Sequence, residues 1–567
     1  MKRALSLTLL ASTTLLGCPT ESTPPDASVA LDAASADVNE VDAFSPPRDW
    51  PFAEPPRSSE PEPGITRDVI EIESAAAPMN PLMGIATPAA LNRARFVRFH
   101  ASSGAAPSAV ILAMPGIFGG AGSFEFLARA LVRRSLTSSE GPVEVWAIDR
   151  RSNLLEDSRG LDAAEAMRNP DIARGYYNAR ETIGGQAFPG FIAQRDMLFA
   201  SEWGLQTHFA DLRRVLDLVP ASMQKTHVFL LGHSLGASMA ETFGAWEFED
   251  GVRGSSLVAG FILIDGAQSV APMDEMTFRM GGGSGVMPSA GIDMIRSSTP
   301  AIALPLLGVS VYVQAEILAM SALYLPEEVR TNDTPRNRVF GTLLGLNPLT
   351  LPPMTNEAAF GFGFDESSNG LSFAAVSMGE GTGGPLESYE SLFGSTLMRP
   401  ADRMSTYRWT DASEVTPREA TPLANLAHAW FDGRTNFAEW YFPARLASDL
   451  AACGGLAVEA TAWQAEFGLR CRHGAEMDAP VLAIAAALRL PDDYDFSRSR
   501  GAPIGPGRPN AGTPRTEALA YRIVNSAPFT HIDPLTAEDF AGNPVPEAVL
   551  SFVRTNAAPG TVTITIP

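Results

Sequence analysis

The chain has 567 residues, of which 45% are hydrophobic and 19% are charged, and its formal net charge is −22. This composition excludes a wholly disordered, collagen-like or coiled-coil chain. A surface this acidic repels phosphate backbones, so we expect no nucleic-acid partner. Three cysteines are too few for a disulfide scaffold or a cysteine-rich metal site.

The N-terminus has the pattern of a targeting segment. Two basic residues lie within Met1–Arg3, and the apolar run Ala4–Leu16 is too short to span a bilayer comfortably. The run ends in Leu15–Cys18, with the sequence Leu-Leu-Gly-Cys, which resembles the lipobox of bacterial lipoproteins. The resemblance implies a lipid anchor at Cys18 and a location outside the cytoplasm, at the outer membrane or the cell surface. An ordinary signal peptide with an incidental cysteine is the alternative.

Residues 19–64 have the composition of a tether. They contain ten prolines, ten acidic residues and only two basic residues, Arg48 and Arg57. Low hydrophobicity combined with high charge cannot bury enough surface to offset the entropy lost on folding. We therefore predict that this segment is disordered and extended, and that the folded body begins at Ile65.

From residue 65 onward, short apolar runs alternate with helical patterns. Runs that are apolar at every position are typical of strands covered on both faces. The alternation predicts an α/β fold with a mostly parallel, doubly wound sheet. The predicted strands are 69–72, 96–99, 109–114, 143–148, 227–231, 260–265, 481–487 and 521–524, and the predicted helices are 124–134, 209–219, 237–248 and 546–555.

The alternation stops between residues 266 and 479. This stretch contains glycine-rich turns and apolar helical segments, of which 301–325 is the most apolar. Pro305, Gln314 and Glu316 interrupt that segment, which argues against a transmembrane helix. We predict one sheet domain in two parts, residues 65–265 and 480–567, with a large insertion at 266–479 between two of its strands.

The sequence Gly-His-Ser-Leu-Gly at 232–236 lies between a predicted strand and a predicted helix. A G-x-S-x-G sequence in this position supplies the small residues that a strained turn needs on both sides of its serine. Here the chain resembles the α/β-hydrolase superfamily, and the resemblance covers the sheet segments on both sides of the insertion. It implies an α/β-hydrolase fold with a cap insertion and a nucleophilic Ser234. An inert serine in a glycine-rich turn is the alternative.

Two further segments are similar to motifs of that superfamily. Residues 115–119, Pro-Gly-Ile-Phe-Gly, resemble the oxyanion loop that follows the third strand, with Pro-Gly where many members have His-Gly. The resemblance implies that the backbone N–H groups of Ile117 and Leu235 form the oxyanion hole. Residues 149–153 resemble the D-x-R-G-x-G turn after the fourth strand, with serine in place of the first glycine. We expect Asp149 and Arg151 to hold that turn by ion pairing.

The general base of this superfamily is a histidine that follows the serine and the acid in chain order. Of seven histidines, only His428, His473 and His531 lie well beyond Ser234. His531 lies in a loop between the last predicted strand and the last predicted helix, which is where the superfamily places its base. We expect Asp533, two residues further on, to cap the loop.

The acid of the implied triad has three candidates. The superfamily places it after the strand predicted at 481–487, which favours Asp492 slightly over Asp493 in the loop that follows. Some members place the acid at the end of an earlier strand, and that position here belongs to Asp265. The loop that carries Asp492 is longer than usual, so the spacing leaves the choice open.

These roles predict a serine hydrolase that cleaves carboxylic esters, with no cofactor implied and no metal-ligand spacing in the sequence. The apolar stretches 304–313 and 317–325 are candidates to line a pocket for a hydrophobic acyl or alcohol part or to contact lipid, or else they form the core of the cap. The alternatives are a peptidase or amidase of the same superfamily and a non-catalytic surface-binding lipoprotein. Outside the cytoplasm Cys453 and Cys471 are expected to form a disulfide, with two buried free thiols as the alternative.

Overall fold

The computed structural model describes residues 58–269, 271–282, 289–302, 308–331, 333–371, 374–391, 394–431, 437–456, 460–486, 503–514, 518–522 and 529–566. The predicted signal peptide, Cys18 and most of the predicted tether lie outside these residues. A nine-stranded sheet forms the centre of the described part, in the spatial order β1-β2-β3-β5-β4-β6-β7-β8-β9. In chain order its strands are β1 (Ser58–Glu62), β2 (Ile65–Glu73), β3 (Arg93–Ala101), β4 (Ala109–Met114), β5 (Val143–Asp149), β6 (Val228–His233), β7 (Gly260–Ile264), β8 (Val481–Ala485) and β9 (Ala518–Arg522).

The sheet is antiparallel at one edge and parallel elsewhere. Strands β1, β2, β3 and β5 pair antiparallel, whereas β5, β4, β6, β7, β8 and β9 pair parallel to one another. Each parallel crossover brings a helix onto one face of the sheet, and the side chains of a strand alternate between the faces. In β4, Val110 and Leu112 pack into one apolar core with α4 and α6, while Ile111 and Ala113 pack into a second core with α1 and α16.

Sixteen α-helices accompany the sheet among the described residues. They are α1 (Glu125–Ser135), α2 (Arg159–Ala166), α3 (Pro170–Ala179), α4 (Leu205–Leu216), α5 (Ala221–His227), α6 (Leu235–Ala245), α7 (Glu275–Met280), α8 (Ile292–Ser297), α9 (Ser310–Tyr324), α10 (Thr334–Leu343), α11 (Asn356–Phe364), α12 (Leu423–Phe431), α13 (Ala444–Ala452), α14 (Ala462–Glu466), α15 (Asp533–Thr536) and α16 (Val545–Asn556). The fold class predicted from the sequence is confirmed, because the predicted strands fall on β2 to β9 and the sheet is covered on both faces.

The edge strand β1 differs from the prediction. Ser58–Glu62 falls within the segment predicted to be a disordered tether, yet it pairs antiparallel with β2 through a turn at Gly64, whose φ is +88°. Glu62 also accepts hydrogen bonds from Arg129 and Arg133 of α1. Backbone pairing and ion pairs to a distant helix stabilise an edge strand without an apolar sequence, so composition alone could not predict it.

The insertion between β7 and β8 contains helices α7 to α14. It also contains a hairpin, Leu386–Glu390 with Thr396–Pro400, and the strands on either side of that hairpin in the chain, Gly379–Thr382 and Arg408–Asp411, form a second antiparallel pair. Helix α9 is buried along most of its length and packs against α11 and α12. None of the helices in the described residues is both long and apolar enough to cross a membrane.

A disulfide joins Cys453 and Cys471 near the end of the insertion. Cys453 caps the C-terminus of α13, and Cys471 forms an antiparallel bridge with Trp246 at the end of α6. The bond therefore fastens the last part of the insertion beside a helix that packs on the central sheet.

Candidate active site

A sharp turn between β6 and α6 carries Ser234. Its φ of +56° and ψ of −123° are unfavourable for a residue with a side chain. The Ser234 N–H donates to the Ile264 carbonyl over 2.9 Å, and its carbonyl accepts from the Ala237 N–H over 2.9 Å. These bonds to β7 and α6 hold the serine in a strained conformation that places it beyond the end of the sheet, as the sequence motif predicts.

The glycines of the motif are required by close backbone contacts. A Cβ atom on Gly232 would lie 2.0 Å from the Gly236 carbonyl oxygen, and one on Gly236 would lie 2.1 Å from the Met114 carbonyl oxygen. Gly266 is similarly constrained, because its Cβ would lie 2.2 Å from the Ser234 carbonyl oxygen. Any larger residue at these positions would push the turn away from β4 and β7.

His531 is hydrogen-bonded to Asp265, with 2.6 Å between Nδ1 and Oδ2. Both side chains are buried. Asp265 directly follows β7, and its second oxygen, Oδ1, accepts from the Ala486 N–H over 2.7 Å. Two anchored oxygens fix the carboxylate, so the imidazole ring of His531 is held in one orientation.

The partner of His531 is thus the candidate that the spacing ranked third. The two candidates ranked above it, Asp492 and Asp493, lie outside the described residues. Strands β7 and β8 are parallel neighbours, so their carboxyl ends lie side by side and a carboxylate after either strand is within reach of the same histidine. Spacing along the chain therefore cannot show which of the two strand ends carries the aspartate that bonds to His531.

A second histidine, His233, supports the loop of His531. Its Nε2 lies 2.8 Å from the His531 carbonyl oxygen, and the two rings are 4.6 Å apart. Burial is the main cause that lowers the pKa of His233 to about 3, and the neighbouring His531 acts in the same direction. His233 is therefore neutral, and because a carbonyl only accepts, its Nε2 carries the proton. No role for His233 is predicted from the sequence, although its position inside the motif at 232–236 is a signal.

The loop of residues 115–119 lies against the serine. A Cβ atom on Gly116 would be 3.0 Å from the Ser234 Cβ and 3.4 Å from its Oγ. Two backbone donors flank this contact. Leu235 is the first residue of α6, so its N–H has no acceptor within the helix. The Ile117 N–H likewise has no acceptor within the described residues.

Ser234 and His531 line one cavity between the sheet edge and the insertion. Centres of water molecules could occupy about 80 Å³ of it. Its wall is largely apolar, with contributions from the loop of residues 115–119 and from helices α9 to α12. The aromatic and aliphatic lining residues include Phe118, Val311, Tyr312, Val339, Phe340, Phe364, Leu371, Trp430, Phe437 and Leu535.

Some apolar side chains of α9 line the cavity, and others pack only within the apolar core. Val311, Tyr312 and Ala315 line the cavity and also belong to the larger apolar core, whereas Ile317 and the apolar residues that follow it to Ala322 belong to the core without lining the cavity. Both interpretations therefore apply to the part of these stretches that lies on α9, and residues 304–307 lie outside the described residues.

Asp149 and Arg151 form ion pairs, as predicted from the sequence. Asp149 accepts from Arg95 over 2.7 Å and from the Ala121 N–H over 2.8 Å. Arg151 donates two hydrogen bonds to Asp211, over 2.7 and 2.6 Å. These pairs join the turn after β5 to β3, to the start of α1 and to α4, away from Ser234.

The remaining candidates also have structural partners. Asp533 accepts from the Thr530 N–H over 2.6 Å and from the Thr421 hydroxyl over 2.6 Å, so it fixes the loop of His531. Burial raises the pKa of Asp533 to about 6. His473 contacts Glu247 over 2.9 Å, and His428 is exposed on α12.

No family model and no curated protein matches this chain. Solved structures do resemble it. A Sulfolobus solfataricus protein described provisionally as a lipase is 12% identical with a TM-score of 0.40, over 89% of this chain and 98% of that one. The peroxisomal α/β-hydrolase Lpx1 of Saccharomyces cerevisiae is 9% identical with a TM-score of 0.34, over 87% and 91%. An α/β-hydrolase fold protein from Nakamurella multipartita is 12% identical with a TM-score of 0.32, over 85% and 99%.

Likenesses with TM-scores of 0.40 or less carry no argument about this chain. The fold follows from the structure itself: the parallel strand order, the strained serine after β6, and a buried aspartate–histidine pair on the loops after β7 and β9 are the features of the α/β-hydrolase fold. The chain has this fold, with a large insertion between β7 and β8.

Proposed function

We propose that the protein is a serine hydrolase that cleaves carboxylic esters through Ser234, His531 and Asp265. One observation carries the proposal: Ser234, held at the strained turn, lines the same apolar cavity as the His531 ring, and that ring is bonded to a buried aspartate. A serine and an imidazole that line one cavity, with a carboxylate bonded to the imidazole, are the components of nucleophilic acyl transfer.

Proton transfer in this mechanism follows from the tautomer of His531. Its Nδ1 is bonded to Asp265, so Nε2 is the nitrogen left to take the proton from the Ser234 hydroxyl as the oxygen attacks the ester carbonyl. The imidazolium that forms is stabilised by the adjacent carboxylate. His531 then returns the proton to the leaving alcohol, and water releases the acyl group from Ser234 in a second, equivalent step.

The negative charge on the attacked oxygen needs donors beside Ser234. The N–H groups of Ile117 and Leu235 are the two that flank it, and both are free of other acceptors in the described part of the chain. Losing one such donor typically raises the barrier by about 3 kcal/mol.

The cavity supports a substrate with a hydrophobic acyl or alcohol part. Aromatic and aliphatic side chains of the insertion form most of its wall opposite Ser234. Burying a methylene group there is worth about 0.8 kcal/mol, so chain length should affect the rate strongly. We further propose that Cys18 is acylated and that the enzyme acts outside the cytoplasm from a membrane surface, on the basis of the N-terminal sequence.

The test of function uses p-nitrophenyl esters of graded acyl length beside a panel of peptide amides. We expect ester hydrolysis by the wild type and a loss of at least about 1,000-fold in kcat for Ser234→Ala. The matched control is Ser238→Ala on the same helix, because the Ser238 hydroxyl donates to the Ala267 carbonyl over 2.8 Å and serves structure. Its activity should stay near that of the wild type.

Three other outcomes would each contradict part of the proposal. Preferential cleavage of the amides would identify a peptidase or amidase. Ester hydrolysis that persists in Ser234→Ala would exclude the serine mechanism. A folded wild-type protein that neither cleaves esters nor reacts with a fluorophosphonate probe would be a binding protein. The anchor is tested separately, because radiolabelled palmitate should be incorporated by the wild type and not by Cys18→Ser.

A further inference from the structure

The guanidinium of Arg150 lies beneath the loop of residues 115–119 and is buried. Its Nη2 donates to the Pro115 carbonyl over 2.6 Å and to the Gly116 carbonyl over 3.0 Å. Its Nη1 donates to the Gly119 carbonyl over 2.9 Å. Three carbonyl groups of one five-residue loop thus converge on a single cation.

The same guanidinium is paired with the insertion. Its Nη1 donates to Glu439 over 2.7 Å, and its centre lies 5.1 Å from the ring centroid of Phe442. Glu439 is fully buried and also accepts from the Ser152 hydroxyl. Burial raises the pKa of the Glu439 carboxyl, and the charge of Arg150 opposes that rise. One cation therefore links the loop of the core to a residue 289 positions further along the chain.

We propose that Arg150, held in place by Glu439, is a positioning residue that aims the Ile117 N–H into the oxyanion hole, so that the insertion helps to set the catalytic rate. This inference rests on the proposed ester hydrolysis by Ser234. It adds a role for two residues that contact neither Ser234 nor His531 in the structure.

The geometry of the peptide bond gives the direction of the donor. In a trans peptide the C=O of one residue and the N–H of the next point in opposite directions. The Gly116 carbonyl points at Arg150, so the Ile117 N–H points away from Arg150. Gly116 itself packs against the Ser234 side chain, which places this N–H on the side where charge would develop.

Backbone bonds from the insertion hold the rest of the loop. The Glu439 N–H donates to the Phe118 carbonyl over 2.7 Å, and the Gly120 N–H donates to the Phe437 carbonyl over 2.7 Å. Phe118 has a φ of +55°, an unfavourable value for a residue with a side chain. The loop is therefore strained and stays in place because of contacts with residues 437–439, which belong to the insertion.

Arginine suits this position because its planar group presents several donors at fixed angles. A lysine would carry the charge but could not satisfy three carbonyls and Glu439 in the same arrangement. The critical variant is therefore Arg150→Lys. We expect kcat on a p-nitrophenyl ester to fall by about 10- to 100-fold while KM changes by less than about threefold, because the oxyanion forms only after binding.

A second measurement is the affinity for a trifluoromethyl ketone whose chain length matches the acyl chain of the ester. This affinity would not change if Arg150 had a purely structural role. This inhibitor forms an oxyanion on Ser234, so its affinity should fall in parallel with kcat. The matched control is Arg151→Lys. Arg151 is the adjacent buried arginine, and its contacts are with Asp211, Asn92 and the Ala75 carbonyl, none of them in the loop. We expect it to lower the melting temperature and to leave kcat and inhibitor affinity near the wild-type values.

A second variant, Glu439→Gln, keeps the proposal testable if Arg150→Lys fails to fold. It should reduce kcat by about threefold to tenfold and weaken the inhibitor to the same extent, because it removes the charge that fixes Arg150. Unchanged kcat and inhibitor affinity in whichever variant folds would overturn the proposal, as would parallel losses in Arg151→Lys. Unchanged values in the Arg150 or Glu439 variant would leave the proposed function intact if Ser234→Ala still abolishes ester hydrolysis in the same assay. A wild-type protein without esterase activity would overturn both the proposed function and the role of Arg150.

Discussion

The carboxyl edge of the sheet and the insertion contribute to the cavity in different ways. The edge supplies Ser234, Asp265 and His531, each placed by a strand end and by short backbone bonds. The insertion supplies most of the apolar wall, and its helices pack on one another and on helices of the sheet domain such as α3. In the proposed mechanism the three reacting side chains are placed by local turn geometry, and the Arg150–Glu439 pair is the long-range contact that reaches their donor loop, at residues 115–119. Selection of a hydrophobic substrate part would depend on the long-range packing of the insertion.

The largest expected effect tests the sheet edge. Replacing Asp265 by Asn removes the charge that orients His531, and we expect kcat for ester hydrolysis to fall by about 1,000- to 10,000-fold with little change in KM. The measurement is steady-state hydrolysis of a p-nitrophenyl ester by protein of unchanged circular dichroism.

Asp533→Asn is the matched control for that variant. Asp533 is also a buried aspartate near His531, but its partners are Thr530, Thr421 and the Ser377 N–H. We expect a lower melting temperature and a loss of less than tenfold in kcat. Equal losses in the two variants would mean that the contact with Asp265 has no special part in catalysis.

The disulfide tests how the insertion is fastened. Cys453 and Cys471 are 18 residues apart, and closing a loop of that size stabilises a fold by about 3 kcal/mol. The double variant Cys453→Ala, Cys471→Ala should therefore unfold at lower denaturant concentration, by about that free energy, under oxidising conditions. Because the cystine does not line the cavity, kcat of the folded fraction should be preserved. A lower kcat in the fully folded double variant would mean that the disulfide also affects the geometry at the carboxyl edge of the sheet.

Two phenylalanines of α11 test the origin of substrate choice. Phe364 lines the cavity, whereas Phe362 packs on Trp409 and Tyr407. Phe364→Leu should enlarge the cavity and shift the preferred ester by one or two methylenes, with a change of about tenfold in the ratio of kcat/KM values. Phe362→Leu should lower stability and leave that ratio as it is. The panel of graded esters decides between these outcomes.

The smallest expected effect concerns carboxyl groups at the junction of the two regions. Burial raises the pKa of Glu419 to about 8, that of Glu366 to about 7 and that of Asp365 to about 6. Between pH 4.5 and pH 8 the unfolded chain releases the Glu419 proton before the folded chain does, so stability falls as the pH rises through that window. Glu419→Gln should reduce the drop in melting temperature between pH 5 and pH 8.5, and an unchanged drop would contradict the assignment to this residue.

Most of the sheet and two catalytic candidates could be predicted from the sequence because their signals are local. The apolar runs of β4 to β8 mark strands buried on both faces, and the glycines around Ser234 are required because a Cβ atom there would lie about 2 Å from a neighbouring backbone oxygen. His531 was identified by its position between the last strand and the last helix. The choice of Asp265, in contrast, depends on which strands are neighbours, and chain spacing does not contain that information.

The insertion was predictable only as an interruption of the pattern. Its helices carry apolar residues on several faces, as α9 shows, so periodicity cannot indicate which residues line a cavity and which form a core. The pairing of Arg150 with Glu439 spans nearly 300 residues and has no local signature. The edge strand β1 was missed for the same reason, because its stability comes from β2 and α1.

The antiparallel bridge between Gly119 and Ala438 limits how this scaffold can be rebuilt. A shortened chain that ended the insertion before residue 437 would leave the loop of residues 115–119 without its neighbour, even with Ser234, His531 and Asp265 present. If the insertion is replaced by a foreign cap to change the substrate range, residues 437–439 would have to be retained so that their backbone bonds to the loop of residues 115–119 remain. Helices α9 to α12 are the parts that could be exchanged.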